Sequence, residues 1–224
     1  MAKNQSTVVE GIKEVFSVAV AGRRYAKNVG YTIHMTVDGH TNAEVENAEN
    51  NIKQICDHYS GKTIEASISK IMRGTPFPPP AMMLGPNGDR WVPMHGILPH
   101  SLHGTILDNV DQYMNANKKL IEKHGLVWGQ VSNLIGHSRV LVEINLYWKD
   151  KRTDMIESYL DDNFLRKKEV FAQNPAAYNA VAKLRSGLTD LFTELGGTHM
   201  QIGRSYPFLE SRMPSVQKLL KVIK

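Results

Sequence analysis

Arg139-Val140-Leu141-Val142-Glu143-Ile144-Asn145-Leu146-Tyr147 is the stretch that decides the fold class. Val140, Val142, Ile144 and Leu146 alternate with Arg139, Glu143 and Asn145, and a period of two sets the first group on one face of a strand and the second on the other. Such a strand needs an apolar layer on one side only. It therefore predicts a sheet with one face under helices and one partly polar face.

Outward from this strand, residues 126–132 read as its partner, with Gly136-His137-Ser138 between them, and residues 91–98 read as a further short strand. Ile106, Val110, Tyr113, Met114, Leu120 and Ile121 recur at helical spacing and predict one helix ending near Lys123. A helix is also expected over residues 153–171. Asn174 is a good N-cap with Pro175 at the first helical position, and Tyr178, Val181, Leu184, Leu188, Leu191 and Leu195 form a long core-facing stripe that Gly196-Gly197 stops. Residues 199–206 form a strand or loop, and a short helix follows Pro214.

The first third repeats the pattern. Val8, Ile12, Val15, Phe16 and Ala19 mark an amphipathic helix; Tyr31, Ile33, Met35 and Val37 alternate as a strand; Thr41 and Glu44 make a capping box for a helix running to about Tyr59. Residues 63–71 return as a strand, and the proline-rich run 74–80 is a surface loop, a lid or a domain-contact arm. Strand, helix, strand thus occurs twice. The expected class is α+β: ferredoxin-like units sharing one antiparallel sheet with helices on one face, forming a single domain over residues 1–224.

A chain of 224 residues with 42% hydrophobic content can bury a core of this size. Its one cysteine, Cys56, excludes an internal disulfide. No apolar run approaches the roughly 20 residues a membrane span needs, and residues 1–7 lack the apolar stretch of a signal peptide. The expected location is the cytoplasm, with the periplasm left open. The net charge of +5 is spread among acidic residues without a basic run, which argues against nucleic acid as a partner.

The chain carries no dinucleotide fingerprint, phosphate loop, nucleophile elbow or zinc-protease motif, so a reactive group would come from outside it. Three stretches are rich in groups that meet ligands. In residues 88–100, Arg90, Trp91 and His95 stand out; His95, His100 and His103 admit structural, ligand-facing and metal-binding readings, but no carboxylate or thiol completes a known metal spacing. In residues 136–145, His137 and Arg139 with Glu143 and Asn145 form either a plain turn and strand or one wall of a cleft. In residues 196–207, His199, Gln201, Arg204 and Tyr206 are either structural or a set of donors suited to an oxyanion or phenolate.

Arg90-Trp91-Val92-Pro93-Met94-His95-Gly96, the stretch His137 to Asn145, and Gly196-Gly197-Thr198-His199-Met200-Gln201-Ile202-Gly203-Arg204-Ser205-Tyr206-Pro207 together resemble the C-terminal cap of FAD-linked oxidases, in the vanillyl-alcohol oxidase and p-cresol methylhydroxylase flavoprotein family. The resemblance implies an FAD cofactor carried on a separate domain or subunit, over which this chain closes as a substrate-side cap. It implies oxidation of an alcohol or para-substituted phenol by hydride transfer to the flavin, with Arg204, Tyr206 and His199 catalytic. Arg90, Trp91, His95, Glu143 and Gln201 would bind substrate, and His137, Arg139 and Asn145 would meet the cofactor, His137 as a point of covalent attachment. Two departures stand out: Arg204 and Tyr206 are not in the family's adjacent Tyr-Arg order, and the metal motif of the D-2-hydroxy-acid branch is missing. The chain stops at Val222-Ile223-Lys224, ahead of the tail such proteins carry, and the expectation is a piece or one subunit of a split enzyme. An apolar docking patch, able to support a homodimer, is expected with it. The alternative is a non-catalytic ferredoxin-like module for small-molecule binding or assembly.

Overall fold

The computed structural model describes residues 30–64, 69, 73–74, 77, 80–198 and 213–223. The chain separates into two compact units, Met1–Pro79 and Pro80–Lys224, where the sequence suggests one domain over 1–224.

In the first unit, α1 spans Asn42–His58 and starts on the expected capping box. Thr41 Oγ1 accepts from the Glu44 backbone N–H at 3.2 Å, and the Glu44 carboxylate accepts from the N–H of Thr41 at 3.3 Å and of His40 at 2.8 Å. Two orphan ends are satisfied by one side-chain pair. The strand expected at residues 31–37 does not form: residues 31–39 have no regular structure, and Tyr31, Ile33 and Met35 are exposed. Alternation makes a half-buried strand only when a neighbouring edge and a covering layer are present, and among the described residues of this unit there is no other strand. The helix expected at 8–20 lies outside the described residues. So do parts of the expected strand at 63–71 and of the loop at 74–80; where these are described, residues 63 and 64 are irregular and Ser69 is helical instead of extended, and Gly74 and Pro80 are helical where a loop was expected, Pro80 opening a short 3-10 turn to Met83.

The second unit is α+β. Its strands are β1 (Arg90–Pro99), β2 (Val127–Ile135) and β3 (Arg139–Trp148), in the order β1-β3-β2 with both pairings antiparallel. β1 and β2 therefore run parallel with β3 between them, joined by α2 (His103–Ala116) and α3 (Lys118–Lys123) in a split β-α-β arrangement. On the far side of β1, Thr198 and Ile97 exchange backbone hydrogen bonds at 2.8 and 3.0 Å.

The apolar face read from the sequence holds, while the second face of β3 is more covered than a half-buried strand's, with Leu141 and Asn145 buried there too. Val140, Val142, Ile144 and Leu146 are fully buried with Met94 and Leu98 from β1, against Ile106, Val110 and Met114 of α2 and Val181, Leu184, Leu188 and Phe192 of α6 (Pro175–Glu194). α6 begins as expected, with Asn174 Oδ1 accepting from Ala177 N–H at 3.0 Å. It ends in a Schellman motif: Gly196 N–H donates to Thr193 O, Gly197 N–H to Phe192 O, and Gly196 takes φ +75°. Where α2 crosses α6, a Cβ on Gly187 would lie 2.5 Å from Cζ and 2.7 Å from Cε2 of Tyr113, and nearer still to its hydroxyl. A side chain at 187 would collide with the Tyr113 ring where it now lies against α6.

Two helices are divided where one was expected. Asn117 Nδ2 donates to Tyr113 O at 2.9 Å and separates α2 from α3. The span 153–171 holds α4 (Asp154–Tyr159) and α5 (Asp162–Leu165) instead of one helix. Leu160 turns extended and is buried, and Asp161 Oδ1 accepts from the N–H of Asn163 and Phe164, restarting the helix with a fresh cap. A side chain that satisfies the backbone locally competes with helix continuation. The final helix, α7 (Pro214–Ile223), follows Pro214 as expected.

Candidate functional site

The second face of the sheet gathers polar and aromatic side chains. A period of two brings Trp91, Pro93, His95 and Ile97 of β1 beside Tyr147, Asn145, Glu143 and Leu141 of β3, in that register. His95 and Asn145 are buried; Trp91, Glu143 and Tyr147 are half-buried. Trp91 Nε1–H donates to Asn145 Oδ1 at 2.7 Å, across the diagonal of the strand pair, and the Trp91 and Tyr147 rings stack at 6.5 Å between centroids. Because the Asn145 oxygen takes the indole proton, its amide N–H₂ remains the donor end. His95 stands directly opposite Glu143, a cross-strand position that puts Cβ atoms about 5 Å apart. One face thus collects an imidazole, a carboxylate, an oriented amide and two aromatic planes.

The Tyr147 phenol is held above its ordinary value, first by burial and then by the carboxylates of Glu143 and Asp89. At neutral pH it is a hydrogen-bond donor and not a base. Asp89 sits where the chain enters β1, accepting from Asn87 N–H through its side chain and from Gly85 N–H through its carbonyl. Tyr147 was missed as a site residue in the sequence, although counting by two from Arg139 through Glu143 and Asn145 reaches it next.

Other sequence-chosen residues lie apart. Arg139 is on the same face as Glu143 but four residues along the strand, about 13 Å away, and it is exposed. His137 is exposed in the turn between β2 and β3. Arg90 is on the opposite face from Trp91, since adjacent strand residues alternate. Its guanidinium lies 5.5 Å from the Trp148 ring centroid and donates to Lys151 O at 3.0 Å. His199, Gln201, Arg204 and Tyr206 lie outside the described residues; the chain reaches that segment from Thr198, at the edge of β1.

Arg90 instead lines an open cleft of about 490 Å³ with Lys151, Arg152, Asp154, Gln173 and Tyr178. Its floor is tied by Asp150, whose carboxylate accepts from Trp148 Nε1–H at 3.1 Å and from the backbone N–H of Lys151 and Asn174, each at 2.8 Å. This joins the end of β3 to the start of α6. Arg152 is buried, donating from Nε to Glu157 at 3.3 Å and from Nη1 to Glu169 O at 2.8 Å. Both ionic groups are thus engaged in structure.

Among the described residues, no three His, Cys, Asp or Glu side chains come together as a metal site, and no helix is long and apolar enough to cross a membrane. Of the three histidines considered together, His95 is buried in the sheet, while the rings of His100 and His103 stack at 6.4 Å and His103 Nε2 lies 2.9 Å from Ser132 Oγ. In comparisons with known proteins the chain matches no family model, no curated protein and no solved structure.

Proposed function

We propose that this chain is the substrate-side part of a flavin-dependent oxidoreductase, shaping a pocket over an FAD held by another domain or subunit, where an alcohol or para-substituted phenol is oxidised. The observation that carries the reading is the convergence of Trp91, His95, Glu143, Asn145 and Tyr147 on one face of the β1–β3 pair. Two of the three stretches that carry the family resemblance are these two neighbouring strands, so motifs some fifty residues apart in the chain (His95 and Glu143, Trp91 and Asn145) contribute to one surface.

The groups present suit such a role. Stacked aromatic planes fit an aromatic substrate or ring. The Asn145 amide and the protonated Tyr147 phenol supply donors, and Glu143 with His95 can hold or move a proton from a substrate hydroxyl. The bound flavin would accept the hydride. His137 and Arg139, exposed at the hairpin end, would meet the cofactor, and His199, Gln201, Arg204 and Tyr206 would complete the pocket. Arg90 is left out of it. A cytoplasmic location is part of the same proposal.

The test is to express the chain with the FAD-binding domain or neighbour and record its visible spectrum. A flavin band at about 450 nm is expected, with turnover of a phenolic or benzylic alcohol lost in Glu143→Gln and reduced in Asn145→Ala while the flavin stays bound. If no flavin appears in any such context, the reading fails. The cleft around Arg90 favours the second reading, a non-catalytic binding or assembly module; small-molecule binding by the chain alone that Arg90→Ala abolishes would support it.

A further inference from the structure

β2 ends the sheet. Among the described residues no strand runs along its outer edge, and its nine residues, Val127-Trp128-Gly129-Gln130-Val131-Ser132-Asn133-Leu134-Ile135, contain no charge and no proline. Its pairing with β3 runs without a bulge from Val127↔Tyr147 to Ile135↔Arg139. Edges are ordinarily protected by lysines, prolines, bulges or a covering element, because their free N–H and C=O groups template the addition of another strand. Here the side chains are apolar as well: Val127 is 60% exposed, Val131 48%, Leu134 70% and Ile135 40%.

We propose that a second copy of this chain adds to β2, antiparallel, about a twofold axis through Val131, so that two sheets join edge to edge. The sequence of β2 is self-complementary about that residue. Val131 meets Val131 of the second copy, Trp128 meets Leu134, Val127 meets Ile135, and the small or polar positions Gly129 and Gln130 meet Asn133 and Ser132. Apolar faces apolar and polar faces polar at every step. Moving the axis to Gly129 sets Trp128 against Gln130, and moving it to Asn133 sets Leu134 against Ser132; both shorten the ladder.

The geometry of an antiparallel ladder agrees. About an axis through a residue, odd positions pair with odd and even with even, so outward-pointing backbone groups meet outward-pointing groups and each face of one sheet continues into the same face of the other. Val127, Val131 and Ile135 then lie on the face of Glu143 and His95 in both copies. The two Glu143 carboxylates would be three strand spacings apart, about 14 Å, beyond the range at which exposed charges repel appreciably in physiological salt. The proposed dimer therefore places two copies of the polar surface on one side of a continuous sheet. It does not depend on the flavin reading.

Sedimentation of the whole 224-residue chain over a concentration series tests this directly, with a reversible dimer expected. Val131→Lys combined with Leu134→Lys, both at exposed positions, should leave the circular dichroism unchanged and weaken association at least about tenfold. Register is read separately in a Cys56→Ser background. Val131→Cys should form an intermolecular disulfide readily, and Asn133→Cys should not, since Asn133 stands opposite Gly129 of the second copy. A wild-type chain that stays monomeric at every concentration overturns the proposal. So does a dimer that survives both lysines, or cross-linking at 133 as ready as at 131.

Discussion

Replacing Gly187 by Ala probes the crossing of α2 and α6, on which the helix layer behind the candidate site rests. The new methyl would fall 2.5 Å from Cζ of Tyr113 and 2.7 Å from Cε2, whereas carbons in contact prefer roughly 3.5–4.0 Å. Ring or helix must move by about 1 Å. The ring has little room, because Val110 and Met114 on the same helix and Leu184 and Leu188 on the other are buried. Overpacking of this kind costs about 3 kcal/mol at the upper end of its usual range, and alanine recovers about 1 kcal/mol of helix propensity. The net expectation is a loss of about 2 kcal/mol, or a fall in melting temperature of about 4–8 °C for a unit of this size. Denaturant unfolding followed by tryptophan fluorescence is a suitable assay, since Trp91, Trp128 and Trp148 lie one in each strand. A Tyr113→Leu background removes the ring, and there the same change should stabilise by up to about 1 kcal/mol because propensity acts alone. If Gly187→Ala stabilises equally in both backgrounds, the seating of the Tyr113 ring on Gly187 is wrong.

Two further outcomes follow from the same geometry. Asp150→Ala strips the acceptor from Trp148 Nε1–H and from the N–H of Lys151 and Asn174; a loss of about 2–4 kcal/mol is expected in urea unfolding, with Asp150→Asn costing less. Tyr113 and Tyr147 are both raised above the ordinary phenol value of 10.0, chiefly by burial. In alkali the unfolded chain gives up these protons before the folded one, so their contribution to stability is full below about pH 10 and is lost as pH rises through the folded values. Unfolding midpoints measured from about pH 9 to 11 should fall, and Tyr147→Phe should flatten that fall; an equal slope in the variant would refute the assignment to Tyr147.

Much of the second unit was legible in the chain itself. The alternation at Arg139 to Tyr147, the stripe from Tyr178 to Leu195, the Asn174-Pro175 start and the Gly196-Gly197 stop are local devices, and local sterics and hydrogen bonding decide them wherever the segment ends up. The polar face with Glu143 and Asn145 was visible for the same reason. So was its separation from the apolar face, since a period of two leaves no other arrangement.

Tertiary structure decided the rest. Which strand lies beside β3, and hence that His95 faces Glu143 and Trp91 reaches Asn145, depends on register between residues about fifty positions apart, which no local pattern encodes. Arg90 and Trp91, neighbours in sequence, went to opposite faces once β1 extended through both. Residues 31–37 alternate as well as any strand here but form none, because a strand's hydrogen bonds must come from a partner. The break at Leu160 and Asp161 was decided by a leucine buried between two helical turns and by the cap that follows it. A helix closes its own hydrogen bonds and can be read from its own residues; a sheet, and any site built across one, exists only when distant segments meet.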